Sequence, residues 1–244
     1  MRSRDVLDPT FEQYVNPRNF KKFPIKKGGV YVVATNDANY VTSVQERLPN
    51  GKQKLVWMCP AYVTWSSIIK RGFSYREKLK RPTYKDVTVC PEWLLFSNFR
   101  NWWVENNVRG WQLDKDILQK GNLVYGPDSC IYIPGHINSL LLDCAATRGG
   151  CPLGVYKDNG LFKAQISMIS SRTQKHLGRF NTPEQAHRAW QVGKIGAIKD
   201  AINKYTEESN SLGVFDVRIV DALNERIATL EDDIANGRET LVLH

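Results

Sequence analysis

Three charged residues in a row, Asp114, Lys115 and Asp116, stand where an extended pattern runs into a loop, and Asn138 follows Asp114 by 24 positions. A carboxylate at a strand end and a carboxamide on the next helix can converge on one hard cation. Mg²⁺ takes one or two protein oxygens and completes its shell with water and phosphate. Held that way, it polarises a scissile phosphate and stabilises the leaving oxygen. Asp and Asn also serve as turn and cap formers, so spacing alone leaves both roles open. His136, two positions before Asn138, is the only histidine in this stretch; it is either a base or a side chain in the first turn of a helix.

The elements that must position these groups can be read from the pattern around them. Residues 111–114 read as a strand, and 116–128 as a loop rich in turn formers (Gly121, Asn122, Gly126, Pro127, Asp128). A strand at 130–133 and a helix from about 135 complete a β-loop-β-α unit. Upstream, residues 1–27 carry Pro9, Pro17 and Pro24 with the pairs Lys21-Lys22 and Lys26-Lys27, which predicts a flexible basic arm. Residues 28–58 read as a small antiparallel β region with a turn at Pro49-Asn50-Gly51. Tyr62, Trp65, Ile68 and Ile69 recur at helical spacing behind Pro60, residues 81–90 return to an extended pattern, and Pro91-Glu92-Trp93 opens a second helix.

After a linker at 147–152 the period changes to two. Phe162, Ala164, Ile166 and Met168 alternate with Lys163, Gln165 and Ser167, a strand with one apolar and one polar face. Thr182 as N-cap, Pro183 and Glu184 then start a long helix whose Ala186, Ala189, Trp190, Gly193 and Ala197 make one stripe. The helix covers the apolar face of the sheet. The other face stays polar and basic and has the width of a major-groove reader. A second linker is expected at 207–213. A last helix at about 214–236 follows, with Val220, Leu223, Ile227, Leu230 and Ile234 in a heptad-like seam that either packs on its own domain or forms a small homodimer contact. The expected fold class is α+β: a small N-terminal sheet, a central ββα module over 59–146, a three-stranded sheet with a helix over 151–206, and an acidic C-terminal helix within 207–244.

Charge narrows the partners. The chain carries 34 Lys and Arg against 25 Asp and Glu, a net +9. Residues 1–110 hold 19 basic and 9 acidic side chains, residues 151–206 hold 9 and 3, and residues 207–244 reverse to 3 and 9. Two basic blocks point to a polyanion, of which double-stranded DNA is the expected one. No stretch has the apolar length of a membrane helix, and the first residues lack the apolar core of a secretory signal, so no membrane partner and a cytoplasmic location are expected. Five cysteines at irregular spacings, with no Cys-x-x-Cys pair, predict reduced thiols and no structural zinc.

Two resemblances add to this reading. GVYKDNGLFKAQI, LGRF and NTPEQAHRAW resemble the plant ethylene-responsive-factor type of DNA-binding domain, a three-stranded sheet packed on one helix. Carried over by position, that resemblance makes Tyr156, Lys163, Gln165, Ser167, His176 and Arg179 the DNA-contacting residues, although Tyr156, Ser167 and His176 stand where Arg or Trp is usual. YKDVTVCPEWLLFSNFRNWW, LDKDIL, GNLVYGPDSC and IPGHIN resemble HNH-type (ββα-metal) homing-endonuclease-like proteins of bacteriophages. That resemblance implies Mg²⁺ held by Asp114 and Asn138, action in a host bacterial cytoplasm, and metal-dependent nicking of DNA. It is incomplete. Lys115 stands where the family has its base histidine, and a lysine ammonium cannot accept a proton from water at pH 7. Lys115 would face a phosphate, His136 would be the substitute base, and Ser129 occupies the middle position. The alternative is a catalytically dead DNA-binding or regulatory factor, acting on DNA or on a host protein.

Overall fold

A computed structural model describes residues 21–27, 30–141, 150–167 and 174–243. In chain order the elements are strands β1 (Lys21–Lys27), β2 (Val30–Asn36), β3 (Ser43–Arg47) and β4 (Gln53–Met58), helices α1 (Pro60–Phe73) and α2 (Tyr75–Lys80), and strand β5 (Thr88–Val89). Helix α3 (Phe96–Asn106), strands β6 (Gln112–Asp114), β7 (Val124–Tyr125) and β8 (Ile131–Ile133) and helix α4 (Gly135–Leu141) follow. Strands β9 (Val155–Asp158), β10 (Leu161–Ser167) and β11 (Gln174–Phe180) then lead into helices α5 (Pro183–Leu212) and α6 (Val217–Ala235). The architecture is α+β. No helix among the described residues is long and apolar enough to cross a membrane.

The chain forms two compact units. Among the described residues, one comprises 21–109 and 122–132, and the other 110–121 and 133–243. This differs from the expected boundaries. The 59–146 module is divided, because α4 packs on α5 and β6 on α4 in the C-terminal unit while α1 and α3 belong to the N-terminal one.

In the N-terminal unit, α1 starts at Pro60 and buries Tyr62, Trp65, Ile68, Ile69 and Phe73, the i, i+3, i+4 stripe of an amphipathic helix. Its core partners are Phe96 and Phe99 of α3 together with Trp93, whose backbone carbonyl accepts from Trp65 Nε1 at 2.7 Å. Pro91–Leu94 is a 3₁₀ turn, so the second helix opens at Phe96 and not at Pro91. The extended pattern over 81–90 is also shorter than expected. Pro82–Tyr84 is a 3₁₀ turn, and only Thr88–Val89 pairs as strand, in parallel with β7. The turn at Pro49-Asn50-Gly51 joins β3 and β4 into an antiparallel hairpin, with Gly51 at φ +78°. The expected arm is corrected in part: Lys21–Lys27 is a strand, antiparallel to β2 from Lys21↔Asn36 to Lys27↔Val30. Residues 1–20 lie outside the described residues.

In the C-terminal unit the sheet order is β11-β10-β9, antiparallel throughout, with α5 on one face. The linker expected at 207–213 is helix. α5 runs unbroken to Leu212 and stops only where Gly213 adopts φ +66°, a left-handed C-cap. Ser209 Oγ donates to Tyr205 O, so this serine satisfies its hydroxyl within the helix instead of breaking it. Helix α6 begins at Asp216, whose side chain accepts from Arg218 N, and buries Leu223, Ile227 and Leu230 against its own unit. Three of the five residues of the heptad-like seam thus pack within the unit, and Val220 and Ile234 stay half-buried.

Candidate nucleic-acid interface

Strand β10 is the centre of the surface. Its apolar residues Ala164 and Ile166 are buried, and Lys163 and Gln165 alternate with them on the other face. The register extends that face to both neighbours. Lys163 stands opposite Tyr156 on β9 and opposite Arg179 on β11, so these three side chains form one rung. A bulge between Ala164 and Gln165 resets the pairing, and Gln165 then faces His176 and Ser167 faces Gln174. All six residues selected from the sequence (Tyr156, Lys163, Gln165, Ser167, His176, Arg179) thus share one sheet face. The first rung is about 10 Å wide, since neighbouring strands lie ~4.8 Å apart, and the B-DNA major groove is about 12 Å wide. Sequence reasoning missed Gln174 on this face and Asp158 at its edge, although the same period-two pattern contained both.

Two close approaches fix the sheet on its helix. Gly154 has φ +74°, and a Cβ there would lie 1.8 Å from Trp190 Cδ1, so the indole of α5 packs directly on the backbone before β9. Behind β11, a Cβ on Gly193 would lie 2.8 Å from Leu177. Thr182 Oγ1 accepts from Gln185 N at 3.3 Å and caps the first turn of α5. His187 is buried there and bridges backbone to backbone: its Nδ1 lies 2.9 Å from Leu153 O, and its Nε2 accepts from Thr240 N at 3.0 Å. The second bond requires the Nδ1-protonated tautomer, and both ring nitrogens are occupied in holding β9 and the C-terminal segment to α5.

The charged strand end forms a hydrogen-bonded turn. Asp114 Oδ1 accepts from the backbone N–H of Asp116 at 3.0 Å and of Ile117 at 2.7 Å, closing the turn after β6. Burial, then the neighbouring Asp116 carboxylate, push the Asp114 carboxyl up to about 6. Lys115 is only 8% exposed, and its Nζ donates to Asp116 Oδ2 at 2.7 Å. Arg226, 4% exposed, donates from Nη1 to Ala222 O at 2.8 Å and from Nε to Leu243 O at 3.2 Å. Burial pushes its guanidinium down, against the pull of Glu225, Asp114 and Asp116. Asp116 is therefore paired with Lys115, while the Asp114 carboxylate is held by backbone N–H groups.

Of the remaining candidates, Asn138 and Ser129 are hydrogen-bonded elsewhere, and His136 faces α5 with its Nε2 buried and lacking a hydrogen-bond partner. Asn138 Nδ2 donates to Gln112 Oε1 at 2.5 Å. The ionisable neighbours of His136 are Glu208, 3.8 Å from its Nδ1, and Lys204, both on α5, and burial pushes the imidazole below its ordinary value. Ser129 lies in the N-terminal unit, where its Oγ donates to Val124 O at 2.8 Å. Among the described residues, no group of three or more His, Cys, Asp or Glu side chains is arranged to hold a metal ion. Mg²⁺ needs fewer protein ligands than that; of the two residues expected to hold it, Asp114 accepts from two backbone N–H groups through Oδ1 and Asn138 donates to Gln112. No protein-family model matches the chain, and comparison with curated proteins and with solved structures gives no match.

Proposed function

We propose that the chain is a double-stranded DNA-binding protein that contacts the duplex with the exposed face of β9, β10 and β11. One observation carries the reading: Tyr156, Lys163, Gln165, Ser167, His176 and Arg179 fall on a single face through strand register, with α5 on the other face. Lys163 and Arg179 supply phosphate or guanine contacts, and Gln165 supplies a bidentate amide for a base edge. The net positive charge of residues 151–206 gives the electrostatic attraction.

Of the two catalytic readings, binding without cleavage has the better support. The carboxylate that would hold a cation closes a turn, and the lysine beside it is buried in an ion pair. The test combines two assays on the full chain. Lys163→Glu with Arg179→Glu should weaken binding to a labelled duplex and flatten its dependence on salt, by roughly 0.9 in log–log slope for each phosphate no longer neutralised. Supercoiled plasmid incubated with the wild type and Mg²⁺ or Mn²⁺ should stay uncut. Unchanged affinity in a folded double variant overturns the interface; metal-dependent nicks that track with the protein overturn the non-cleaving reading.

A further inference from the structure

The N-terminal unit carries a charged surface that the sheet reading does not use. Residues 70–86 hold seven Lys and Arg against Glu77 and Asp86, net +5 in a chain of net +9. The centre of this segment is α2, a helix with no buried residue. Burial does not hold it in place; polar ties do. Ser74 Oγ accepts from Glu77 N at 3.3 Å at its start. Lys78 Nζ donates to Lys85 O and Val87 O, each at 2.8 Å, and so pins the helix to the loop that follows. Arg81 reaches back to Glu77 at 3.4 Å. The result is a small knob of fixed shape, rimmed by the exposed cations Lys70, Arg76, Lys80 and Lys85.

The knob exposes two large side chains that a folded surface ordinarily covers. Tyr75 is 68% exposed and Leu79 64%, and as an i, i+4 pair they lie on one side of α2. An aromatic and an aliphatic group among cations match the chemistry of a sugar–phosphate backbone: ammonium and guanidinium groups meet phosphate oxygens, and the two larger side chains pack on deoxyribose. A bilayer is the poorer match. Membrane-surface helices bury a continuous apolar face about 5–10 Å deep, and two side chains on six residues do not make one.

We infer that α2 and its flanking loop are a second DNA-contacting surface, sequence-independent, formed by Lys70, Tyr75, Arg76, Leu79, Lys80 and Lys85 and directed at the duplex backbone. Its role is to raise affinity for all duplexes alike, while the three-stranded sheet discriminates among them. The inference rests on DNA as the partner but not on the sheet as its interface.

The experiment uses the full chain with Lys70, Arg76, Lys80 and Lys85 changed together to Gln, in the wild-type background and in the Lys163→Glu/Arg179→Glu background. Anisotropy with a random-sequence 30-base-pair duplex, titrated with salt, is the readout, and far-ultraviolet dichroism checks the fold. The expected result is weaker binding in both backgrounds and a salt slope lower by about 2 to 4, following roughly 0.9 per neutralised phosphate. Tyr75→Ala should weaken binding at unchanged slope. An unchanged slope in both backgrounds overturns the inference. So does an effect confined to oligo-dT, which would make the surface a single-strand site, or one confined to anionic lipid vesicles. If the sheet variant binds as the wild type does while the Gln variant weakens, the sheet reading fails and this surface stands.

Discussion

Arg179 reaches across the three-stranded sheet to Asp158, its Nη2 lying 2.7 Å from Asp158 Oδ2. Arg179 is on β11 and Asp158 on β9, so the pair bridges over β10, beside Lys163. An exposed ion pair of this kind contributes at most about 1 kcal/mol to stability. Its consequence is orientation: it restrains a long, rotamer-rich side chain in the plane of the proposed interface. It also sets a negative charge where DNA phosphates would approach. Asp158→Ala should therefore raise affinity for random-sequence duplex and lower the ratio between preferred and random sites, because the repulsion and the restraint disappear together. Binding-site selection followed by competition titration measures both, and an unchanged ratio would sever Arg179 from discrimination.

Gln165 stands in the middle of the sheet face, opposite His176 and two residues from Lys163. Its amide can both donate and accept toward one base edge, whereas an ammonium or guanidinium only donates. Gln165→Ala should cost about 1–3 kcal/mol at a single base-pair position and leave the salt slope unchanged. A uniform loss across all sequences, with a changed slope, would place Gln165 among the backbone contacts instead.

The sheet face was legible in the sequence because two independent periods agreed. Phe162 to Ser167 alternate strictly, and Ala186, Trp190 and Ala197 supply a helical stripe that could only cover one side. The hairpin at Pro49-Asn50-Gly51 was readable for the same local reason. What failed was read from composition alone. The run EESNSLG has a loop's residue types but continues α5 as far as Leu212, with the Ser209 hydroxyl bonding back to a carbonyl one turn earlier. The basic pairs at 21–22 and 26–27 suggested an arm, yet these residues pair with β2 as β1. Asp114 was the hardest case. A carboxylate that ligates a cation and one that accepts two backbone N–H groups leave the same signature in sequence, and only the turn geometry separates them.

Gly154 and Gly196 give opposite expectations for the same substitution. At Gly154 a methyl group would collide with the Trp190 indole, and φ is +74°. Gly154→Ala should destabilise the C-terminal unit by about 3 kcal/mol or more, overpacking and left-handed strain adding together. Gly196 lies inside α5 with open space where a Cβ would stand. Gly196→Ala should stabilise by up to about 1 kcal/mol through helix propensity. Urea midpoints of the two variants test the pair, and equal shifts would contradict the packing of Trp190 on the backbone before β9.

Asp114 makes stability depend on pH in a direction opposite to that of most surface carboxylates. Its carboxyl is raised from 3.8 to about 6 by burial and by Asp116. The folded state therefore holds this proton more tightly than the unfolded chain does. Above about pH 6 the group is ionised in both states, and the folded state carries the full penalty, on the order of 3 kcal/mol for a shift of this size. As pH falls from 6 to 3.8 the folded state takes up the proton first, and the penalty fades. Asp114→Asn keeps an oxygen for the N–H groups of Asp116 and Ile117 but removes the ionisation. The variant should be more stable than the wild type at pH 7 to 8, and the difference should shrink steadily toward pH 4. Urea unfolding of both proteins at half-unit pH steps measures it. If the difference between them stays flat from pH 8 to pH 4, Asp114 is not a buried carboxylate of raised pKa. A wild type more stable than the variant at pH 8 would mean that Lys115 and Arg226 hold the ionised form.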